Sequence, residues 1–344
     1  MQTLLNTLYV TTSGSYLHLD NDTLRVEIER ETKLRVPLHH ISSVVTFGDV
    51  LISSAIMQRL ADEGKNLVML DRNGRFKARL EGGVSGNILL RLAQFKQSSE
   101  PTFVLDTAKA IIAGKLRNSR HVLLRGARDA SDTADQQALR DTATALAINL
   151  RNLRQASDLD TLRGLEGEAA RRYFAVMGHL IRPDQRDAFT PDGRSRRPPR
   201  DRMNALLSFL YSMLMNDCRS ALEIVGLDPQ LGCLHAVRPG RASLALDLME
   251  EFRPILADRL ALSLINRQQL KAEDFTLHPG HSVTLSDSAR RLVVVEYQKR
   301  KQDLVAHPLL KEKLMLGLVP PLQARLLARC IRGEAEGYLP YLAR

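Results

Sequence analysis

EGGVSGNILLRLAQFKQ, residues 81–97, is where the sequence changes its period. Before the Gly82-Gly83 pair, apolar residues alternate in short runs; beyond residue 87 they recur every three and four positions. Alternation puts every second side chain on one face of a strand, whereas the longer spacing lines one face of a helix. The stretch therefore predicts a β domain over residues 1–83 followed by a larger all-α domain over residues 84–344, an α+β chain.

Upstream, TLYVTT, YLHLD, LRVEIE, LRVPLHHISSVVTFG, NLVMLD and RFKARLEGG are strand-like runs divided by Ser-Gly, Asp-Asn and Asn-Gly turn signals. One helical insert, SSAIMQRLADEG at 53–64, opens on serines that can cap it and closes at Gly64. A β-sandwich-like domain with a single helix is expected. Downstream, the helical pattern is broken at 191–202, PDGRSRRPPRDR, where five arginines face one aspartate from Arg194 to Arg202 and paired prolines forbid a continuous helix. This reads as a mobile basic loop. Helices resume over 202–226 and 243–267, and FTLHPGHSVTL has the look of a hairpin.

A chain of 344 residues can bury two cores without covalent staples. Lys and Arg outnumber Asp and Glu by 49 to 39, a formal charge of +10 that favours a polyanionic partner such as nucleic acid. Cys218, Cys233 and Cys330 show no CxxC spacing, which argues against a disulfide framework or a cysteine zinc site and fits a reducing cytoplasm. Neither a signal-peptide pattern nor an apolar run of about 18 residues is present, so a soluble cytoplasmic protein without a membrane partner is expected.

Acids and an imidazole that could carry chemistry fall in three places: Glu166 in GLEGEAARRYF (164–174), His235, and Asp247, Glu250 and Glu251 in SLALDLMEEFRP (243–254). The first stretch reads as a helix start, where carboxylates are welcome, and Glu168 as a solvated first-turn acid. Asp247 and Glu250 are three apart and share a helix face, with Glu251 turned away by roughly 100°. Leu244, Leu248, Phe252 and Ile255 on that helix must be buried, so a carboxylate beside them needs a cation: Arg241, Arg253, Arg259 or a metal. For His235 a satisfied structural histidine is the plain alternative. Spacing alone leaves ion pairs and a metal site both open.

In chain order after the β domain come AGKLRNSRHVLLR, GLEGEAARRYF, RRPPRDRMNALLSFLYSML and GLDPQLGCLHAVRPGRASLALDLMEEFRP. Together these resemble the CRISPR-associated spacer-acquisition integrase and endonuclease family, over nearly the whole chain and nearest to members of type I systems. The resemblance implies that Glu166, His235 and Glu250 hold Mg²⁺ or Mn²⁺ as the catalytic set, with Asp247, Asn204 and Tyr211 supporting them or meeting substrate. It implies a metal-dependent DNA endonuclease that inserts new spacers into a CRISPR array through attack of a 3′-hydroxyl on a phosphodiester. The implied partners are double-stranded DNA (prespacer and repeat), a second copy joined through the β domain, a small companion adaptation protein in a heterohexamer, and an end-trimming nuclease. Candidate DNA contacts are Lys115, Arg117 and Arg120, then Arg194, Arg196, Arg197 and Arg200 in the loop, and Arg238, Arg241 and Arg253 around the other blocks. The rival readings are a non-catalytic basic scaffold and a repair nuclease for branched DNA.

Overall fold

The computed structural model of the protein describes residues 7–74, 76–80, 82 and 88–343. The expected change of domain between residues 83 and 84 lies outside these residues. Two compact units divide the chain: Met1–Ser85 together with Arg290–Val295, and Gly86–Ala289 together with Glu296–Arg344.

The first unit carries β1 (Thr7–Val10), β2 (Tyr16–Asp20), β3 (Thr23–Ile28), β4 (Glu31–Pro37), β5 (Ser43–Phe47), β6 (Leu51–Ile52), α1 (Ser54–Asp62), β7 (Asn66–Leu70) and β8 (Phe76–Arg79). The strands form two four-stranded sheets, β1-β5-β7-β8 and β4-β3-β2-β6. Alternation along each strand sends Leu17, Leu24, Val44 and Leu67 inward, where they meet Ile56 and Leu60 of α1 in one apolar core. The Ser53 hydroxyl accepts the Ile56 N–H and caps α1, and Gly64 leaves it with a φ of 62°. This is the sandwich-like sheet pair with one helix that the alternating runs predict.

Helices dominate the rest: α2 (Ile88–Ser98), α3 (Pro101–Asp129), α4 (Thr133–Asn152), α5 (Leu159–Ala175), α6 (Arg186–Phe189), α7 (Arg202–Val225), α8 (Ser243–Met249), α9 (Arg259–Asn266), α10 (Asp287–Lys301) and α11 (Val319–Ile331). Two short antiparallel hairpins interrupt them, β9 (Phe275–Leu277) with β10 (Val283–Leu285), and β11 (Leu304–Ala306) with β12 (Lys313–Met315). The first is the hairpin read in FTLHPGHSVTL. Among the described residues no helix is long and apolar enough to cross a membrane.

Three local readings are corrected. α5 starts at Leu159, capped by Asp158, whose carboxylate accepts the Thr161 N–H at 2.8 Å. Glu166 therefore lies two turns inside the helix, and Glu168, far from the first turn, pairs with Arg172 one turn on at 2.6 Å. The stretch 243–267 is not one helix: α8 ends at Met249, and Arg253–Asp258 winds more widely, as a π-helical segment, before α9. Pro254 has no N–H to give an α-helical ladder, which is why the break falls there. The basic loop at 191–202, read as mobile, is tied down by Asn204, which accepts from Arg194 Nη1 at 2.7 Å and the Ser195 N–H at 3.2 Å and donates to the Gly193 carbonyl at 2.9 Å. Further along, the Val283 N–H donates to the Pro199 carbonyl at 3.0 Å.

Candidate functional site

Lys115 sits on the buried face of α3, with Ala108, Ile111, Ile112 and Val122 as its helical neighbours. A lone ammonium there must be met by negative charge. Glu166 of α5 supplies one carboxylate in direct contact, and Glu250, just past the end of α8, supplies another with Oε2 2.8 Å from Nζ. On its other side Glu250 Oε1 meets Arg253 Nη1 at 2.8 Å and lies 3.9 Å from His235 Nε2. Burial would raise the Glu250 carboxyl, but Arg253, Lys115 and His235 outweigh it and hold it down at about 2. The group is ionised at any ordinary pH.

His235 is oriented by Asp247. Its Nδ1 lies 2.6 Å from Asp247 Oδ1, an oxygen that also accepts the His235 backbone N–H, so Nδ1 is the donor of this pair and Nε2 is the ring nitrogen left facing Glu250. The same carboxylate takes the backbone N–H groups of Cys233 at 2.6 Å, Leu234 at 3.0 Å and His235 at 2.9 Å. Gly232 makes this wrap feasible, since a Cβ there would come within 2.7 Å of both Asp247 Oδ2 and the Ser243 backbone. Arg163, one turn before Glu166 on α5, completes the link by donating through Nε and Nη2 to the Leu234 carbonyl at 3.1 and 3.0 Å. Glu166, His235 and Glu250, separated by up to 84 residues in sequence, are thus brought to one place.

Among the described residues no group of three or more His, Cys, Asp or Glu side chains is drawn in closely enough to hold a metal ion. Lys115 stands between the two glutamates. The donor set nevertheless fits a divalent cation: the Glu166 carboxylate of α5, the Glu250 carboxylate just past α8, whose buried Oε2 has no aligned hydrogen-bond donor despite the nearby ammonium, and the His235 Nε2 that the Asp247 contact leaves unused.

Several residues expected at the substrate have other duties. Lys115 and Arg253, read as phosphate contacts, are turned inward onto Glu166 and Glu250, because buried carboxylates bind the nearest cations. Arg194 is also folded in, with its guanidinium 5.3 Å from the Tyr211 ring centroid while Arg253 lies 4.9 Å from the same ring. Asn204 is fully buried and holds the basic loop. Tyr211 donates its hydroxyl to Asp258 at 2.7 Å. By contrast Arg117, Arg120, Arg196, Arg197, Arg200 and Arg238 are exposed. Arg241 is half-buried, and its guanidinium is pushed down by desolvation and by Arg238, Arg197 and Arg196, a mutual repulsion that an anion would relieve.

Asp258, which the sequence reading does not single out, and Glu251, which it does, are both buried acids. Desolvation lifts Asp258 to about 6, against the opposing pull of Tyr211, Arg253 and Arg194. An acid raised on folding binds its proton more tightly in the native state, so its contribution to stability falls as pH rises from 3.8 to about 6 and is flat above. Asp258→Asn is expected to gain on the wild type by on the order of 2 kcal/mol between about pH 4 and pH 7, read from urea unfolding at the two pH values. A constant difference between them would refute the assignment. Glu251, which pattern turned away from Glu250, is likewise lifted by burial to about 8, and faces Tyr338, Tyr341 and Gln323.

Two carboxylates and an oriented imidazole are donor types from which enzymes of phosphodiester chemistry build divalent-ion sites. The family model of the CRISPR associated protein Cas1 matches residues 8–299. A CRISPR-associated endonuclease Cas1 of Moorella thermoacetica is 52% identical over 344 residues, covering 100% of both chains. One of Rhodospirillum rubrum is 53% identical over 346 residues, covering 99% of each. In solved structures, the fold is similar to a chain of a Cas6-RT-Cas1–Cas2 complex, with a TM-score of 0.84 at 24% identity over 99% of this chain and 36% of that one. The chain belongs to the Cas1 family, the CRISPR-associated endonucleases that act as integrases in CRISPR adaptation.

Proposed function

We propose that Glu166, His235 and Glu250 hold one divalent cation, Mg²⁺ or Mn²⁺, and that this centre joins the 3′-hydroxyl of a captured DNA to a phosphodiester of the CRISPR repeat. The observation that carries the reading is the meeting of Glu166 and Glu250 on Lys115 with His235 Nε2 beside Glu250. When bound, the cation polarises the scissile phosphate and lowers the pKa of the attacking water or hydroxyl. Asp247 keeps the imidazole lone pair aimed inward, and Arg253 keeps Glu250 ionised as a ligand. Lys115 pairs with both carboxylates, and its ammonium would be available to donate to a phosphate oxygen if those carboxylates held a metal.

The 3′-oxygen forms its bond to phosphorus as the leaving 3′-oxygen departs with a proton, so no protein nucleophile and no ATP are needed. With water as the attacker the outcome is cleavage. Arg196, Arg197, Arg200, Arg238 and Arg241 would grip the backbone without reading sequence, with Arg117 and Arg120 of α3 as a second basic edge. Two joining reactions at opposite ends of one repeat need two active sites, which favours a homodimer formed through residues 1–83, with residues 84–344 as the catalytic part. Two such dimers around a small companion adaptation protein would make the heterohexamer, supplied with ends by a separate trimming nuclease. The test is an integration assay with companion protein, prespacer DNA and a repeat-bearing plasmid in Mn²⁺ or Mg²⁺. Joined product confined to the repeat supports the reading; binding without chemistry favours a scaffold, and cleavage of branched DNA without companion or repeat preference favours a repair nuclease.

A further inference from the structure

Residues 338–343 form neither helix nor strand, yet side chains deep in the helical unit are committed to holding them. The Glu251 carboxyl, 1% exposed, accepts the Tyr338 hydroxyl at 2.7 Å and the Tyr341 backbone N–H at 2.6 Å. Asn118 of α3 donates to two carbonyls at once, Glu251 at 2.8 Å and Tyr341 at 2.9 Å, and accepts the Ala343 N–H at 2.9 Å. Gln323 of α11 donates to the Tyr338 hydroxyl and to the Leu339 carbonyl, both at 3.0 Å. The Tyr341 ring lies nearly parallel to Phe252, centroids 6.1 Å apart. Pro340 comes so close to α3 that a Cβ on Gly114 would stand 2.6 Å from its own.

These anchors bracket the candidate site in sequence. Gly114 and Asn118 flank Lys115, and Glu251 and Phe252 stand between Glu250 and Arg253. α8 has ended at Met249 and the wider winding begins only at Arg253, so the intervening residues are held by single turns, Glu250 N–H to the Asp247 carbonyl at 3.1 Å and Phe252 N–H to the Met249 carbonyl at 3.0 Å, and not by a continuous helical ladder. The contacts from residues 338–343 add to those turns. A buried acid is also an expensive choice for mere packing, because an apolar side chain of similar volume would avoid its desolvation. The two short hydrogen bonds that Glu251 accepts, from the Tyr338 hydroxyl and the Tyr341 N–H, both come from this segment, and Gln323 Nε2 is a longer third donor at 3.4 and 3.5 Å.

We propose that Tyr338–Ala343 is a positioning strap, which clamps α3 against the Glu250–Arg253 turn and thereby sets the spacing of Lys115, Glu250 and Arg253. The inference rests on the assignment of Glu250 as a metal ligand. Displacing a ligand by about 1 Å can cost on the order of 100-fold in rate, so a strap acting at this distance has a measurable signature.

Full-length protein carrying Glu251→Ala, Glu251→Gln or Tyr338→Phe is compared with wild type in Mn²⁺ affinity by calorimetry, DNA affinity without metal, kcat and KM for cleavage, and Tm. Glu251→Ala is expected to lower kcat and Mn²⁺ affinity by about tenfold or more with KM within about twofold, as losses behind a ligand do. Glu251→Gln, which keeps an acceptor, restores most of both. Tyr338→Phe removes one hydroxyl and lowers kcat about threefold, with Tm lower by only a few degrees. A folded Glu251→Ala with wild-type kcat and Mn²⁺ affinity overturns the strap; if that variant does not fold, an unaffected Tyr338→Phe overturns it. Wild-type protein that cleaves DNA without binding Mn²⁺ strikes the ligand assignment instead.

Discussion

We expect Glu250→Ala to lower metal-dependent cleavage by at least about 10³-fold and also to destabilise the fold. The second effect distinguishes it from an ordinary active-site deletion. Glu250 is 2% exposed, with Lys115 and Arg253 each 2.8 Å from one of its oxygens. Lys115 keeps Glu166 after the truncation, but Arg253 loses its carboxylate, and breaking a buried pair from one side typically costs about 3–5 kcal/mol. Glu250→Gln preserves shape and one acceptor, so it should lose activity to a similar degree while recovering much of the stability. Plasmid nicking in Mn²⁺ and thermal unfolding, measured on both variants, separate the two roles. Activity within tenfold of wild type in either would mean that this cluster is not where the chemistry happens.

The β unit was legible because its strands are half-buried, so alternation survives in the sequence, and the long helices because each keeps an apolar stripe. Glu166, His235 and Glu250 were singled out by resemblance; spacing alone left ion pairs as a full alternative, and ion pairs are what Lys115 and Arg253 make. The inward turn of Lys115 did have a signal. Ala108, Ile111, Ile112, Lys115 and Val122 fall on one helical face, and a single cation on an apolar face announces a buried acid. Net charge drew attention to the arginines of 191–202, but charge does not tell which of them folds back, and Arg194 does so because Asn204 and Ser208 wait beneath it. The break after Met249 and the strap at 338–343 are tertiary outcomes: the first shows only as Pro254, and the second has no periodicity to read.

Asp247 carries the other large effect, through a different route. Its two oxygens accept four hydrogen bonds, three from the backbone of Cys233, Leu234 and His235 and one from the His235 ring, in a site with no solvent exposure. Asp247→Ala leaves these donors buried without partners, at about 1–3 kcal/mol each before relaxation, so a loss on the order of 4 kcal/mol is expected. Asp247→Asn is the sharper probe. Its amide can serve some of the backbone donors, but an NH₂ group turned toward the ring favours the opposite tautomer, which puts a proton on Nε2 where the ligand lone pair is required. We expect Asp247→Asn to stay folded, to lower cleavage by about 100-fold and to weaken Mn²⁺ binding by about tenfold or more. Nitrogen-15 NMR of the His235 ring reads the tautomer directly. If the variant ring keeps its proton on Nδ1 and activity still falls, the carboxylate acts through charge rather than orientation; if the proton moves and activity stays, Nε2 is not a ligand.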